Sequence, residues 1–310
     1  VAPDVRPIGA TGYRLVERPR RPGADDHGIA LHRRALLRRL GRGDVAVPVR
    51  IIRPKGKARG VVLDFHGGGW VIGNAQMNDP FNIAMVQECG VIVVSVDYRL
   101  AISTPVEGLM EDCLSAARWL LGEEEFADLP VIVVGESAGG HLAVATLLAL
   151  RQWPDLLGRI CGAVLYYGVY DLAGTASVHA AGPETLVLDG PGMADALRLL
   201  TPGLSDEERR QAPLSPLYGD FTGMPAALLF TGELDPLRDD TLGLAELWGK
   251  AATVEAHLLP SCPHGFIHFP TAIAARVQSG RDVADFAARL AYVSEPFLDA
   301  PYVLSPLGEG

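Results

Sequence analysis

Continuous apolar runs alternate along the chain with segments of helical spacing. The runs are rich in β-branched residues and do not alternate polar with apolar positions, which is typical of strands buried on both faces. They predict strands at 45–52, 61–65, 91–96, 131–134, 162–167, 226–231 and 254–259. This strand–helix–strand order predicts an α/β fold, with a mostly parallel twisted sheet and helices on both faces.

The segments between the runs repeat apolar residues every three or four positions, as an amphipathic helix does. In 108–121, for example, Leu109 and Cys113 begin such a stripe. The other predicted helices are 27–40, 138–151, 193–200, 205–211, 240–250 and 272–291. Gly41 and Gly43 are expected to end the first of these.

Residues 171–215 interrupt the alternation, because they are rich in Gly, Pro and Ala and contain only short helical pieces. An insertion at this point would cover the carboxyl edge of the sheet, where ligands bind in open α/β folds, although an ordinary surface excursion is the alternative. The predicted parts are an N-terminal cap segment 1–45, a catalytic α/β domain formed by 46–170 and 216–295, a cap insertion 171–215, and a tail 296–310 of low order.

Charge is distributed unevenly along the chain. The net charge is −10, but residues 1–60 contain 15 Lys and Arg against 5 Asp and Glu. These basic residues are interleaved with apolar positions, which favours docking on the acidic remainder over binding to nucleic acid or acidic lipid. Without an uninterrupted run of 18 apolar residues or an apolar leader, we expect neither a transmembrane helix nor a secretory signal.

The four cysteines form neither a CxxC pair nor a metal-like cluster. Cys89, Cys113 and Cys161 lie in apolar segments and are interpreted as small buried hydrophobic residues, which favours a reducing cytoplasm. Cys262 is expected to be a passive thiol in a pocket wall. The sequence therefore predicts no metal site.

A Gly-Glu-Ser-Ala-Gly-Gly run at 135–140 follows a predicted strand and precedes a predicted helix. A sharp turn in this context holds its central residue, Ser137, in a strained conformation with the hydroxyl exposed near the positive end of the helix. A serine needs a base, an orienting acid and oxyanion donors to act as a nucleophile. These groups are expected at the ends of the later strands.

Asp235 follows the strand 226–231, where a carboxylate can orient an imidazole. Its neighbours Glu233, Asp239 and Asp240 are alternatives whose ordinary role is turn formation or charge at a helix start.

His264 follows the strand 254–259 and stands next to a glycine, so it is the candidate base, with His268 as the alternative. His141 is expected to be a packed polar residue. Oxyanion donors are expected from the amide of Ala138 and from the Gly-rich run 66–70.

Five motifs together resemble the hormone-sensitive-lipase-like family of α/β-hydrolase esterases. They are His-Gly-Gly-Gly-Trp at 66–70, Asp-Tyr-Arg-Leu at 97–100, the run at 135–140, Asp-Pro-Leu-Arg-Asp at 235–239 and His-Gly-Phe at 264–266. The resemblance implies the α/β-hydrolase fold, with Ser137 as nucleophile, His264 as base and Asp235 as acid. The oxyanion donors that it implies are Gly67, Gly68 and Ala138, with Gly69 as a close substitute.

The resemblance also implies a serine carboxylesterase that hydrolyses short- to medium-chain esters through an acyl-enzyme and uses no cofactor. It implies a small-molecule ester as substrate and a homodimer formed through the last strand and helix. The chain departs from the family at Glu136, where Asp or Thr is common, and at 101–105. The alternatives are an amide, thioester or carbamate hydrolase, an acyltransferase, or a non-catalytic protein that binds small molecules.

Overall fold

The computed structural model describes residues 13–17, 30–40, 43–269 and 303–304. Within them, ten strands form one sheet in the order β1-β2-β3-β5-β4-β6-β7-β8-β9-β10. The strands are β1 Tyr13–Glu17, β2 Ala30–Leu40, β3 Gly43–Arg53, β4 Val61–Phe65, β5 Ile92–Val96, β6 Val131–Glu136, β7 Ile160–Tyr166, β8 Ala226–Gly232, β9 Val254–Leu259 and β10 Val303–Leu304.

The six strands from β4 to β9 pair in parallel, which confirms the predicted fold class. Every residue of β4 and β5 is buried, as the continuous apolar runs predicted. All seven predicted strands are present. Because the strands are parallel, the loops after β4, β6, β8 and β9 open at the same edge of the sheet.

Helices cover the sheet and connect its parallel strands. They are α1 Asp79–Cys89, α2 Val106–Gly122, α3 Ala138–Leu150, α4 Pro154–Leu157, α5 Ala176–Ala180, α6 Gly190–Leu200, α7 Asp206–Arg209 and α8 Arg238–Trp248. Helix α1 was not predicted; it has a proline in its first turn and ends at Gly90, which is in a left-handed conformation. Helices α5, α6 and α7 lie within the insertion 171–215. In the part of the chain that the structure describes, no helix is long and apolar enough to cross a membrane.

The predicted helix at 27–40 is wrong, because residues 30–40 form the strand β2. This strand pairs antiparallel with β3 along its whole length, from Ala30 opposite Arg53 to Leu40 opposite Gly43. Pairing with β3 at eleven positions satisfies the backbone N–H and C=O groups that a helix would otherwise satisfy. The segment can therefore be a strand despite the helical spacing of its leucines. The described residues of the predicted cap segment 1–45 therefore extend the edge of the sheet.

At the other edge, Val303 and Leu304, which belong to the predicted tail of low order, pair in parallel with β9. The predicted helix at 272–291 lies outside the described residues.

Candidate active site

Ser137 stands at the sharp turn between β6 and α3, with φ 51° and ψ −121°. A positive φ at a non-glycine residue costs about 1–3 kcal/mol and persists only where the surroundings impose it. Close packing imposes it here. A Cβ on Gly139 would lie 2.0 Å from the carbonyl oxygen of Phe65, so only glycine lets the turn approach the end of β4 so closely.

The structure brings Ser137, His264 and Asp235 into one hydrogen-bonded line. Nε2 of His264 lies 2.9 Å from Oγ of Ser137, and Nδ1 of His264 lies 2.9 Å from Oδ2 of Asp235. A carboxylate accepts only, so Nδ1 carries the proton and Nε2 is left to accept from the serine hydroxyl. Asp235 and His264 are both buried.

Each of the two partners of Ser137 is held by its own surroundings. Asp235 follows β8, and its Oδ1 accepts a hydrogen bond of 2.8 Å from the amide of Leu237. The ring of Tyr167 meets the ring of His264 edge to face, with the centroids 4.7 Å apart. The Asp235 carboxylate and the His264 ring are thus each held in place by a neighbouring residue of the protein.

The Gly-rich run 66–70, which is predicted to supply oxyanion donors and is called the oxyanion loop, lies beside the turn of Ser137. Gly68 has φ +103°, and a Cβ there would meet the carbonyl oxygen of Ile72 at 2.2 Å. The Gly67 amide donates to Oε1 of Glu136 at 3.3 Å. Within 43–269, the amides of Gly68 and Gly69 have no such acceptor.

Ala138 is the first residue of α3, so its amide lacks an acceptor inside the helix. Of the three predicted oxyanion donors, Gly68 and Ala138 therefore have available amides. The amide of Gly67 is instead directed at a carboxylate. Gly69, the predicted substitute, offers a further available amide.

The alternative acids contact other groups in this structure. Glu233 accepts from the amide of Ser261 at 3.1 Å. Asp239 and Asp240 accept backbone amides at the start of the insertion, including those of Ser177 and Asp171. These contacts fix the insertion to α8 and leave Asp235 as the carboxylate that contacts His264.

The alternative histidines also lie elsewhere. His268 places Nε2 2.6 Å from Oε2 of Glu136. His141 is fully buried between the Trp70 indole and the carbonyl oxygen of Leu214, as expected of a packed polar residue. Burial lowers the pKa of His141 from 6.5 to about 4. Cys262 is buried as well, and burial raises the pKa of its thiol.

Sequence reasoning assigned no role to Glu136, although its buried carboxylate receives three hydrogen bonds. Burial alone would raise the pKa of this group, but hydrogen bonds from His268, Tyr167 and the Gly67 amide, together with the charge of His268, lower it below 4.5. The signals in the sequence were its position next to Ser137 and the departure from the family pattern at that position. Among the described residues, no group of three or more His, Cys, Asp or Glu side chains could hold a metal ion.

The chain is similar to known proteins both in sequence and in structure. A family described as alpha/beta hydrolase fold matches residues 62–268. Carboxylesterase NlhH of Mycobacterium tuberculosis is 32% identical over 250 residues, 77% of each chain. Esterase LipI of the same organism is 32% identical over 226 residues, which are 71% of this chain and 69% of LipI.

Two solved structures are similar along most of their length. EstE1, a thermostable carboxylesterase cloned from a metagenomic library, shares 30% identity with a TM-score of 0.71, over 86% of this chain and 90% of EstE1. A bacterial heroin esterase shares 29% identity with a TM-score of 0.73, over 87% of this chain and 86% of that one.

Proposed function

Because the chain belongs to the alpha/beta hydrolase fold family, we propose that Ser137, His264 and Asp235 are its catalytic triad. The protein is a carboxylic ester hydrolase, as are the carboxylesterases that it resembles. The observation that carries the assignment of residues is the hydrogen-bonded line from Oγ of Ser137 through His264 to Asp235, with both distances at 2.9 Å.

In the proposed reaction, Nε2 of His264 takes the hydroxyl proton while Oγ of Ser137 attacks the ester carbonyl carbon. Asp235 holds the imidazole in the required tautomer and stabilises the imidazolium that forms. The proton then passes to the leaving alkoxide, and an acyl-enzyme remains. Water, activated by the same imidazole, attacks the acyl carbon, releases the acid and restores the serine.

The negative charge that develops on the carbonyl oxygen needs donors placed in advance. We assign this role to the amides of Gly68, Gly69 and Ala138, because the amide of Gly67 already donates to Glu136. Removing one such donor typically costs about 3 kcal/mol of transition-state stabilisation. No metal or organic cofactor enters this reaction.

Finer features of the activity remain proposals. We infer short- to medium-chain esters as substrates, with the insertion 171–215 acting as a cap over the site. A homodimer through the last strand and helix is a further inference, which light scattering on the purified protein tests directly. The four cysteines, which are free thiols, support a cytoplasmic location.

The decisive test is Ser137→Ala, assayed with p-nitrophenyl esters of increasing acyl length and with a fluorophosphonate probe. Turnover should fall by several orders of magnitude and labelling should disappear, because no other group occupies the attacking position. Ser95→Ala is the matched control, since Ser95 is a buried serine whose hydroxyl donates to Asp64 and not to a residue of the proposed triad. Full activity in Ser137→Ala, or a wild-type protein that the probe leaves unlabelled, would overturn the assignment.

A further inference from the structure

The carboxylate of Glu136 joins two segments that flank the proposed nucleophile. It receives the Gly67 amide at 3.3 Å, the Tyr167 hydroxyl at 2.8 Å and Nε2 of His268 at 2.6 Å. Gly67 belongs to the oxyanion loop, whereas His268 ends the base loop, residues 260–268. Glu136 itself is covalently bonded to Ser137, so three parts of the proposed machinery meet at one side chain.

The contact with Gly67 determines which amides of the oxyanion loop are available. With the first glycine amide directed at Oε1 of Glu136, the chain turns so that Gly68 takes φ +103° and Gly69 takes φ +58°. The approach is close, because a Cβ on Gly67 would lie 3.2 Å from that same oxygen. The carboxylate therefore sets the orientation of the peptide units that precede the proposed donors.

The contacts on the other oxygen, Oε2, extend to the proposed base. The Tyr167 hydroxyl is bound to Glu136 while its ring packs against both His264 and Phe266, with centroids 4.7 and 5.1 Å away. His268 follows Phe266 in the short helical turn Phe266–His268. The segment that carries His264 is thus linked to this oxygen directly at His268 and, through the Tyr167 ring, at His264 and Phe266.

A carboxylate suits this position better than an amide does. Its two oxygens only accept, and the three groups that face them donate through an amide N–H, a phenol and an imidazole. A glutamine would have to turn an NH₂ group either toward the Gly67 amide or toward Tyr167 and His268. Facing the Gly67 amide, that NH₂ group would oppose donor to donor. Facing Tyr167 and His268, it would require the phenol oxygen and Nε2 to accept instead of donate, and in both orientations the attraction between the carboxylate and the charge of His268 is lost.

We propose that Glu136 is a positioning residue that sets the oxyanion loop and the base loop relative to Ser137. This inference rests on the proposed function. Because the side chain acts on transition-state groups, its loss should lower kcat with little effect on KM. Misplacement of a catalytic group by about 1 Å can cost about 100-fold, which gives the scale of the expected loss.

The test compares Glu136→Gln with Glu136→Asp, Tyr167→Phe and Asp64→Asn. The glutamine variant should lower kcat about 10- to 100-fold, change KM less than about 3-fold, and weaken binding of a trifluoromethyl ketone in proportion to kcat. This inhibitor forms a tetrahedral adduct and so reports oxyanion placement. The aspartate variant keeps the charge and should recover part of the loss.

Tyr167→Phe removes one donor from Oε2 and leaves the Gly67 contact, so its loss should be smaller than that of Glu136→Gln. Asp64→Asn neutralises another buried carboxylate of the same sheet, which bonds Asn78, Asn82 and Ser95. Its kcat should stay within about 2-fold of wild type, because Asp64 bonds Asn78, Asn82 and Ser95 instead of the triad or Glu136, and its charge only repels that of Glu136.

The inference is overturned if Glu136→Gln keeps wild-type kcat and inhibitor affinity, or if Asp64→Asn loses as much as Glu136→Gln. It is also overturned if Glu136→Gln raises KM and leaves kcat unchanged. Should Glu136→Gln fail to fold, Glu136→Asp and Tyr167→Phe carry the same comparison of kcat with inhibitor affinity. Fluorophosphonate labelling of Ser137 in the wild type keeps these outcomes separate from failure of the proposed function.

Discussion

His141 makes the stability of this protein depend on pH in a window that can be calculated. An indole N–H can only donate, so Nδ1 of His141 must accept from Trp70, and the proton sits on Nε2, where it is donated to the carbonyl oxygen of Leu214 at 2.8 Å. A second ring proton would oppose the Trp70 donor in a fully buried position. Burial accordingly lowers the pKa from 6.5 to about 4.

The magnitude follows from linkage between protonation and folding. The unfolded chain binds this proton near pH 6.5, and the folded protein binds it only near pH 4, so between these values the unfolded state holds more protons. The stabilising effect of neutral His141 is complete above pH 6.5 and is lost as the pH falls. The loss is about 2 kcal/mol between pH 8 and pH 5 and approaches about 3 kcal/mol below pH 4.

Urea unfolding at pH 8 and pH 5 measures this effect when wild type is compared with His141→Gln. Glutamine can accept from Trp70 and donate to Leu214, but it does not titrate, so the variant should lose about 2 kcal/mol less on acidification. Other titrating groups are common to both proteins and cancel in the comparison. Equal losses, to within about 0.5 kcal/mol, would refute the inference that His141 is neutral and sealed from water in the folded state.

Two further predictions concern the triad and its turn. Asp235→Asn should leave the fold intact and lower kcat about 10³- to 10⁴-fold in a p-nitrophenyl ester assay, because an amide favours the wrong imidazole tautomer; a loss below 10-fold would mean that another acid orients His264. Gly139→Ala should lower both the unfolding free energy, by about 1–3 kcal/mol or more, and the rate of phosphonate labelling, since its Cβ would collide with the end of β4. Gly223→Ala is the matched variant, because its φ of +78° costs about 1–2 kcal/mol while no atom lies within 4 Å of the added Cβ, and its labelling rate should stay at that of wild type.

The central strands could be predicted because a strand that is buried on both faces has a nearly continuous run of apolar residues. β5, for instance, is a short run that is apolar except for Ser95, and all of its residues are buried. The sequence of β2 was misleading, because Leu36, Leu37 and Leu40 recur at helical spacing. The segment is a strand because it pairs with β3, and that pairing is not visible in the spacing. The Gly-containing two-residue connection at 41–42 was the available signal of a hairpin.

In the site, likewise, the candidate triad residues could be predicted from their order along the chain, but the directions of the backbone amides could not. Ser137, Asp235 and His264 could be proposed from sequence because each follows a strand, and parallel strands bring such positions to one edge. Three consecutive glycines, in contrast, are chemically equivalent along the chain, and only the direction of each amide distinguishes a donor to the substrate from a donor to the protein. That direction is set by a side chain 69 positions away, the carboxylate of Glu136.

Glu136 is the last residue of β6 and is followed directly by Ser137. The contacts of its carboxylate are therefore coupled to the turn of Ser137 through a single peptide bond. Any change in the turn moves the carboxylate, and any movement of the carboxylate moves the Gly67 amide and the Tyr167 hydroxyl that it holds. The proposed nucleophile and the proposed oxyanion donors are therefore positioned by one structural unit. A shorter acid at 136 would have to draw the oxyanion loop or the base loop inward to keep the same contacts, so the length of this side chain is itself a determinant of the geometry of the site.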